Sequence, residues 1–129
     1  MNTSLRTELI QYVSQTYGIE PEYPWRDEPN YVVLRHGHNL KWFGVIMNVP
    51  KSRLFKQTPK ENESCLNKEV DILNVKCEPD LVRSLTLNNP GFLPAYHMNH
   101  QHWVSILLDG TVSLGDIFSL LSRSYDLTS

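Results

Sequence analysis

"YVVLRHGHNLKWFGVIMNV", residues 31–49, sets two runs rich in β-branched and aromatic residues on either side of HGHN. Gly37 and Asn39 tolerate the positive φ of a tight turn, so the pattern predicts a β-hairpin. Strict alternation along the second run puts Phe43, Val45 and Met47 on the face of Lys41, and Leu40, Trp42 and Ile46 on the other. Both faces are then partly apolar, which is the pattern of an interior strand.

Upstream, Leu5, Leu9, Tyr12 and Val13 recur at helical spacing, with cap residues at Asn2–Ser4 and a stop at Gly18. The connector IEPEYPWRDEPN carries Pro21, Pro24 and Pro29, which forbid a helix; Tyr23 and Trp25 are expected to anchor it while partly exposed. Downstream, residues 50–68 are polar and proline-punctuated, as in a surface loop, and EVDILNVKCEP supplies a third strand. Pro79 opens a helix bearing Leu81, Val82 and Leu85, closed by NNPG. PAYHMN and HWVSILL form a second hairpin ending at Asp109-Gly110. A last helix starts with Ser113 as cap and Asp116 three residues on. The expected fold is α+β in two layers: a mostly antiparallel five-stranded sheet, helices on one face, in the order α-β-β-β-α-β-β-α.

The 129 residues are expected to make one domain, 1–129, with 40% apolar and 20% charged residues around a single core. No apolar run reaches the ~18 residues of a membrane helix, and no secretory h-region is visible, so a cytoplasmic protein with reduced Cys65 and Cys77 is expected. The net charge is −2, yet it is unevenly spread: −3 over residues 1–30, +6 over 31–60 and −5 over 61–129. The middle segment holds Arg35, Lys41, Lys51, Arg53, Lys56 and Lys60 with no acid among them.

EYPWRDEPNYVVLRH, KWFGVIMNVPKSRL, ILNVKCEPDL, GFLPAYHMNHQHWVSILLDGTVS and SYDLTS together resemble the MmcQ/YjbR-like proteins over nearly the whole chain. The signature positions are Tyr23, Pro24, Trp25, Trp42, His97, Asn99, Trp103, Asp109, Gly110, Ser124 and Tyr125, with H-x-N-x-x-x-W the most specific part. The resemblance implies a small bacterial protein, similar in fold to secretion chaperones and frataxin-like domains, of a family commonly labelled DNA-binding.

Three candidate sites compete. His36/His38 and His100/His102 each have H-x-H spacing, but no Cys or carboxylate joins either pair at motif spacing. They read as solvated turn histidines, with no metal expected. His97 and Asn99 fall on one face of a strand beside Trp103, either lining a small-ligand pocket or bonding to backbone. No nucleophile elbow or glycine-rich phosphate loop occurs, so neither catalysis nor a cofactor is expected. Tyr23, Trp25, Trp42 and Trp103 are able to stack on bases, although such residues more often pack a core or its rim. The cationic segment carries the functional expectation. Its six basic residues would contact DNA phosphates, with weak sequence selectivity and sharp salt dependence. The alternatives are a chaperone-like protein-interaction module and the small-ligand site at His97.

Overall fold

The structure is a computed structural model, and it describes residues 4–54 and 68–129. Its elements are α1 (Leu5–Tyr17), β1 (Val32–Arg35), β2 (Trp42–Pro50), a single helical turn α2 (Lys51–Leu54), β3 (Glu69–Lys76), α3 (Pro79–Asn88), β4 (Phe92–Pro94), β5 (Trp103–Leu107) and α4 (Leu114–Thr128). Apart from the added turn α2, this is the expected order. The five strands form one sheet in the order β1-β2-β3-β5-β4, antiparallel at every pairing.

Register explains how the core is assembled. Val32, Ile46, Leu73, Ile106 and Phe92 are successive cross-strand partners, a row of apolar side chains across all five strands. Leu9 and Val13 of α1, Val82 of α3, and Ile117 and Leu121 of α4 pack onto that row, so the three longer helices cover one face of the sheet. α1 and α4 are locked together by stacked rings, Tyr12 on Phe118 at 3.9 Å and Tyr17 on Tyr125 at 4.0 Å. The expected caps are present: Ser4 and Ser113 accept backbone N–H bonds at the starts of α1 and α4, and Gly18 ends α1 in the left-handed region. Across α1, Arg6 ties the helix to Asp71 of β3 at 2.9 Å, beside Asn48.

The opening hairpin forms, but two of its details differ from expectation. Leu34 pairs with Gly44 while Arg35 pairs with Trp42, so the register slips and Phe43 is the extra residue of a bulge. The bulge reverses the facing of what precedes it. Phe43 joins Ile46 under the helices, and Trp42 joins Val45, Met47 and Val49 on the other face. The second difference lies in the turn, where the left-handed residue is Leu40 (φ 62°) rather than Gly37 or Asn39. Asn39 instead accepts the Lys41 N–H and donates to the Thr128 carbonyl, tying the hairpin to the end of α4.

The signature pair Ser124-Tyr125 belongs to this junction. Ser124 Oγ donates to the Phe43 carbonyl at 2.6 Å and accepts the Lys76 N–H at 2.8 Å, bridging β2 and β3 where the bulge has ended their ladder. His36, expected in solvent, is wholly buried here against Phe43 and Tyr125. The α4 terminus folds over the hairpin and supplies its partner, Thr128 Oγ1 at 2.7 Å. Only His38 of that pair is exposed.

A candidate binding hollow on the uncovered sheet face

The face of the sheet away from the long helices carries its own apolar layer, built on Val45, Met47, Val49, Val70, Ile72 and Leu107. Half-buried Tyr31, Trp42, Tyr96 and Met98 surround it. At one place they leave a hollow of about 260 Å³. Val45 and Met47 of β2 line its base, and Trp25, Tyr31 and Trp42 wall it.

Local structure explains why the connector delivers these rings. The Glu28 N–H bonds to the Trp25 carbonyl and the Tyr31 N–H to the Glu28 carbonyl. Two consecutive turns, the second with Pro29 at its favoured position, therefore bring Trp25, Glu28 and Tyr31 to successive corners. Trp25 stands nearly perpendicular to both neighbours, 5.9 Å from Tyr31 and 5.7 Å from Trp42, in the edge-to-face geometry aromatic pairs favour. The Phe43 bulge supplies Trp42, which a regular strand would have turned under the helices.

The far side of the hollow is the loop after β4, where His97 and Met98 line it. This segment is not the strand that alternation implied. His97 lies in the left-handed region at φ 61°, an uncommon conformation for a residue with a Cβ. The loop is held by a closed ring of buried polar groups. Asn74 Nδ2 donates to the Tyr96 carbonyl at 2.9 Å, and the Tyr96 N–H donates to Ser105 Oγ at 2.9 Å. Ser105 Oγ in turn donates to Asn74 Oδ1. Asn74 and Ser105 face each other across β3 and β5 and are wholly buried. They satisfy one another and the loop backbone, which makes a polar pair tolerable in an apolar layer.

Of the three residues expected around a ligand, the structure brings only His97 to the hollow. Asn99 Oδ1 accepts the N–H groups of Gln101 and His102, closing the loop. Trp103 opens β5, paired with Lys76 and half-buried. Asp109 and Gly110 make a turn, Gly110 at φ 96°. Tyr23 and Trp25 are exposed at 56% and 36%, as the connector suggested. Sequence reading missed Glu28, Tyr31, Asn74 and Ser105. A signal was present for Asn74, an amide in the middle of an apolar interior strand.

The basic residues fall in two groups. Lys41 and Lys51 stand at opposite ends of β2, about 30 Å apart at the rise of a strand. Arg35 shares the Lys41 end and is paired with Glu22. Arg53 shares the Lys51 end, where its guanidinium lies 3.4 Å from the Tyr96 hydroxyl. Lys56 and Lys60 lie outside the described residues, as does Cys65. Burial, then the Glu28 carboxylate, push the Tyr31 phenol above its ordinary value. Among the described residues no three His, Cys, Asp or Glu side chains converge as a metal site would need. None of their helices is long and apolar enough to cross a membrane.

The fold and the hollow define a class: a small α+β protein with one antiparallel sheet, helices on one face and an aromatic recess on the other. The sequence model of the YjbR family matches residues 14–127, and the chain belongs to that family. It is 41% identical over 123 residues to the uncharacterized protein YyaQ of Bacillus subtilis (strain 168), covering 95% of this chain and 97% of that one. A Pseudomonas syringae protein solved by crystallography is 36% identical, with a TM-score of 0.86 and full coverage of both chains. The Deinococcus radiodurans protein DR2400 shares the fold at a TM-score of 0.68 and 22% identity, over 95% of this chain and 76% of that one.

Proposed function

We propose that this YjbR-family protein is a non-enzymatic binding module whose working surface is the uncovered sheet face, centred on the aromatic hollow. The observation that carries this reading is a preformed apolar recess walled by three rings and overhung by His97, whose left-handed backbone the Asn74–Ser105 ring holds in place. Recesses of this kind, mostly apolar with a few placed polar groups, are the usual form of ligand sites. The nucleophile candidates argue the same way. Ser105 and Ser124 spend their hydroxyls on structural bonds, and burial, then Glu78, push the Cys77 thiol up to about 11. A titration with small apolar and aromatic fragments, followed on the indole N–H resonances, tests the reading. Trp25 and Trp42 should shift while Trp103 stays still, and Trp25→Ala should abolish the response. Fragments that move no indole other than Trp103 would refute it.

A second reading, binding of nucleic acid, is supported by Arg53, which bonds to Tyr96 on this same face, and by Lys51 two residues before it at the end of β2. Cations next to exposed rings suit a single strand, whose bases stack while its phosphates are neutralised. The Lys41 and Arg35 end contributes less on this reading, since Glu22 already neutralises Arg35. Labelled single-stranded and duplex DNA titrated at low and moderate salt should bind weakly and salt-dependently. The double variant Lys51→Glu/Arg53→Glu should lose that binding; an unchanged isotherm would remove this reading.

A further inference from the structure

The hollow has a charge character that an apolar ligand would not require. Among the described residues Glu28 is its only carboxylate, and no Lys or Arg lines it. Glu28 makes no ion pair with any described residue; Arg53, at the rim, gives its hydrogen bond to Tyr96 and feels Glu28 only as a more distant charge. The Trp25 ring stands perpendicular to Tyr31 and to Trp42, at 80° and 88°, so the three rings bound a corner from different directions. Ring faces carry negative quadrupole potential and attract cations. An anion would meet both the rings and the Glu28 carboxylate, and both repel it. A bare primary ammonium is strongly hydrated and would lose that water against Val45, Met47 and Met98. An alkylated ammonium brings its own apolar shell and keeps its charge, satisfying both halves of the lining.

We propose that the hollow binds an alkylated ammonium group, packed against Trp25, Tyr31 and Trp42 with the Glu28 carboxylate as counter-charge. This rests on the hollow being the binding surface and names its ligand class. The same group occurs on free small molecules and on methylated lysine side chains.

Choline and its neutral carbon isostere 3,3-dimethyl-1-butanol are the probes, with the Trp25 and Trp42 indole resonances as readout. Choline is expected to bind at least about tenfold tighter than the isostere. Glu28→Gln should shrink that preference about five- to tenfold without lowering thermal stability, since Glu28 is exposed. Trp25→Ala should abolish binding of both. Added salt should weaken choline binding to the parent protein more than to the Glu28 variant. A trimethyllysine peptide binding tenfold tighter than choline would place the group on a protein chain, and equal binding would place it on a free molecule. Equal affinity for choline and the isostere, or a preference untouched by Glu28→Gln, overturns the cation inference while leaving the hollow as a binding site. If neither probe nor any fragment moves Trp25 and Trp42, the hollow reading fails with it.

Discussion

The two faces of the sheet are built from the same strands and differ in who covers them. Under the helices, Val32, Ile46, Leu73 and Ile106 are wholly buried, and Leu9, Val13, Ile117 and Leu121 close over them from above. On the other face, Val45, Met47 and Ile72 are nearly as deeply buried, yet among the described residues their cover is a connector and a loop whose side chains are half-exposed. Helices bury the middle of the first face, leaving a groove between α3 and α4 at its Phe92 edge, while irregular elements leave a recess over the middle of the second. The covered face carries most of the wholly buried side chains, and the other face presents a concave, mostly apolar recess.

That contrast is open to direct test. Leu73→Ala, a wholly buried side chain in the middle of the covered row, should cost about 3 kcal/mol or more by transfer loss plus the cavity left behind. Met98→Ala, on the half-exposed rim of the hollow, should cost about 1 kcal/mol or less while weakening fragment binding. Urea denaturation of the two variants measures both. Equal losses would mean that the two faces do not divide stability and binding as described.

Each face also has one buried hydroxyl bridging two strands or a strand and a loop. Ser124→Ala strips the partner from the Phe43 carbonyl and the Lys76 N–H, and Ser105→Ala strips it from the Tyr96 N–H and Asn74. Leaving buried polar groups unsatisfied should cost each variant about 1–3 kcal/mol. Their binding behaviour should separate them. Ser105→Ala frees the His97 loop and should weaken the fragment response, whereas Ser124→Ala should leave it intact at temperatures where the protein stays folded.

Much of the covered face was legible in the sequence, because helical spacing, caps and strand runs are local signals. Ser4, Gly18, Pro79 and Ser113 all mark the helix ends they were expected to mark. The uncovered face was not legible in the same way. Its decisive feature is a one-residue bulge at Phe43, and no periodicity reports a slip that reverses the periodicity. The alternation of its neighbours implies a strand at His97, and the left-handed turn there is braced by Asn74 and Ser105, which lie on other strands. The basic segment was correct as composition, but a nine-residue strand separates its charges, which a count of charges does not convey.

Acid should affect the covered face through His36. Thr128 Oγ1 donates to the Ser124 carbonyl at 2.8 Å, so the 2.7 Å contact with His36 is donated by the imidazole Nε2–H. Nδ1 is then a bare buried nitrogen with no hydrogen-bond partner among the described residues. Burial, then His38, accordingly hold the His36 pKa below its ordinary value. With the folded value depressed, the unfolded chain takes up its proton first. Stability is therefore full above about pH 6.5 and declines as the pH falls through that value, until the folded His36 titrates as well. Urea midpoints at pH 7.5 and 5.5 should differ for the parent protein, and His36→Gln should reduce the difference. The recess on the other face, with no comparable buried group, should not alter it when Trp25 is replaced.

The smallest effects concern the two non-glycine residues with positive φ, one attached to each face: Leu40 at 62°, in the hairpin turn tied to α4, and His97 at 61°, over the hollow. Both are exposed, so neither conformation is held by burial of its own side chain. A left-handed residue with a Cβ costs about 1–2 kcal/mol, and glycine relieves that strain while adding about 0.5–1 kcal/mol of unfolded-chain entropy. Leu40→Gly and His97→Gly should each therefore raise stability slightly, by about 0.5 kcal/mol. Only His97→Gly should weaken ligand binding, because it removes a side chain that lines the recess and loosens the loop that closes it. If His97→Gly gains stability and keeps its affinity, the strain there serves no binding purpose. If it loses affinity at undiminished stability, strain on the uncovered face is tied to recognition in a way that the matching strain at Leu40 is not.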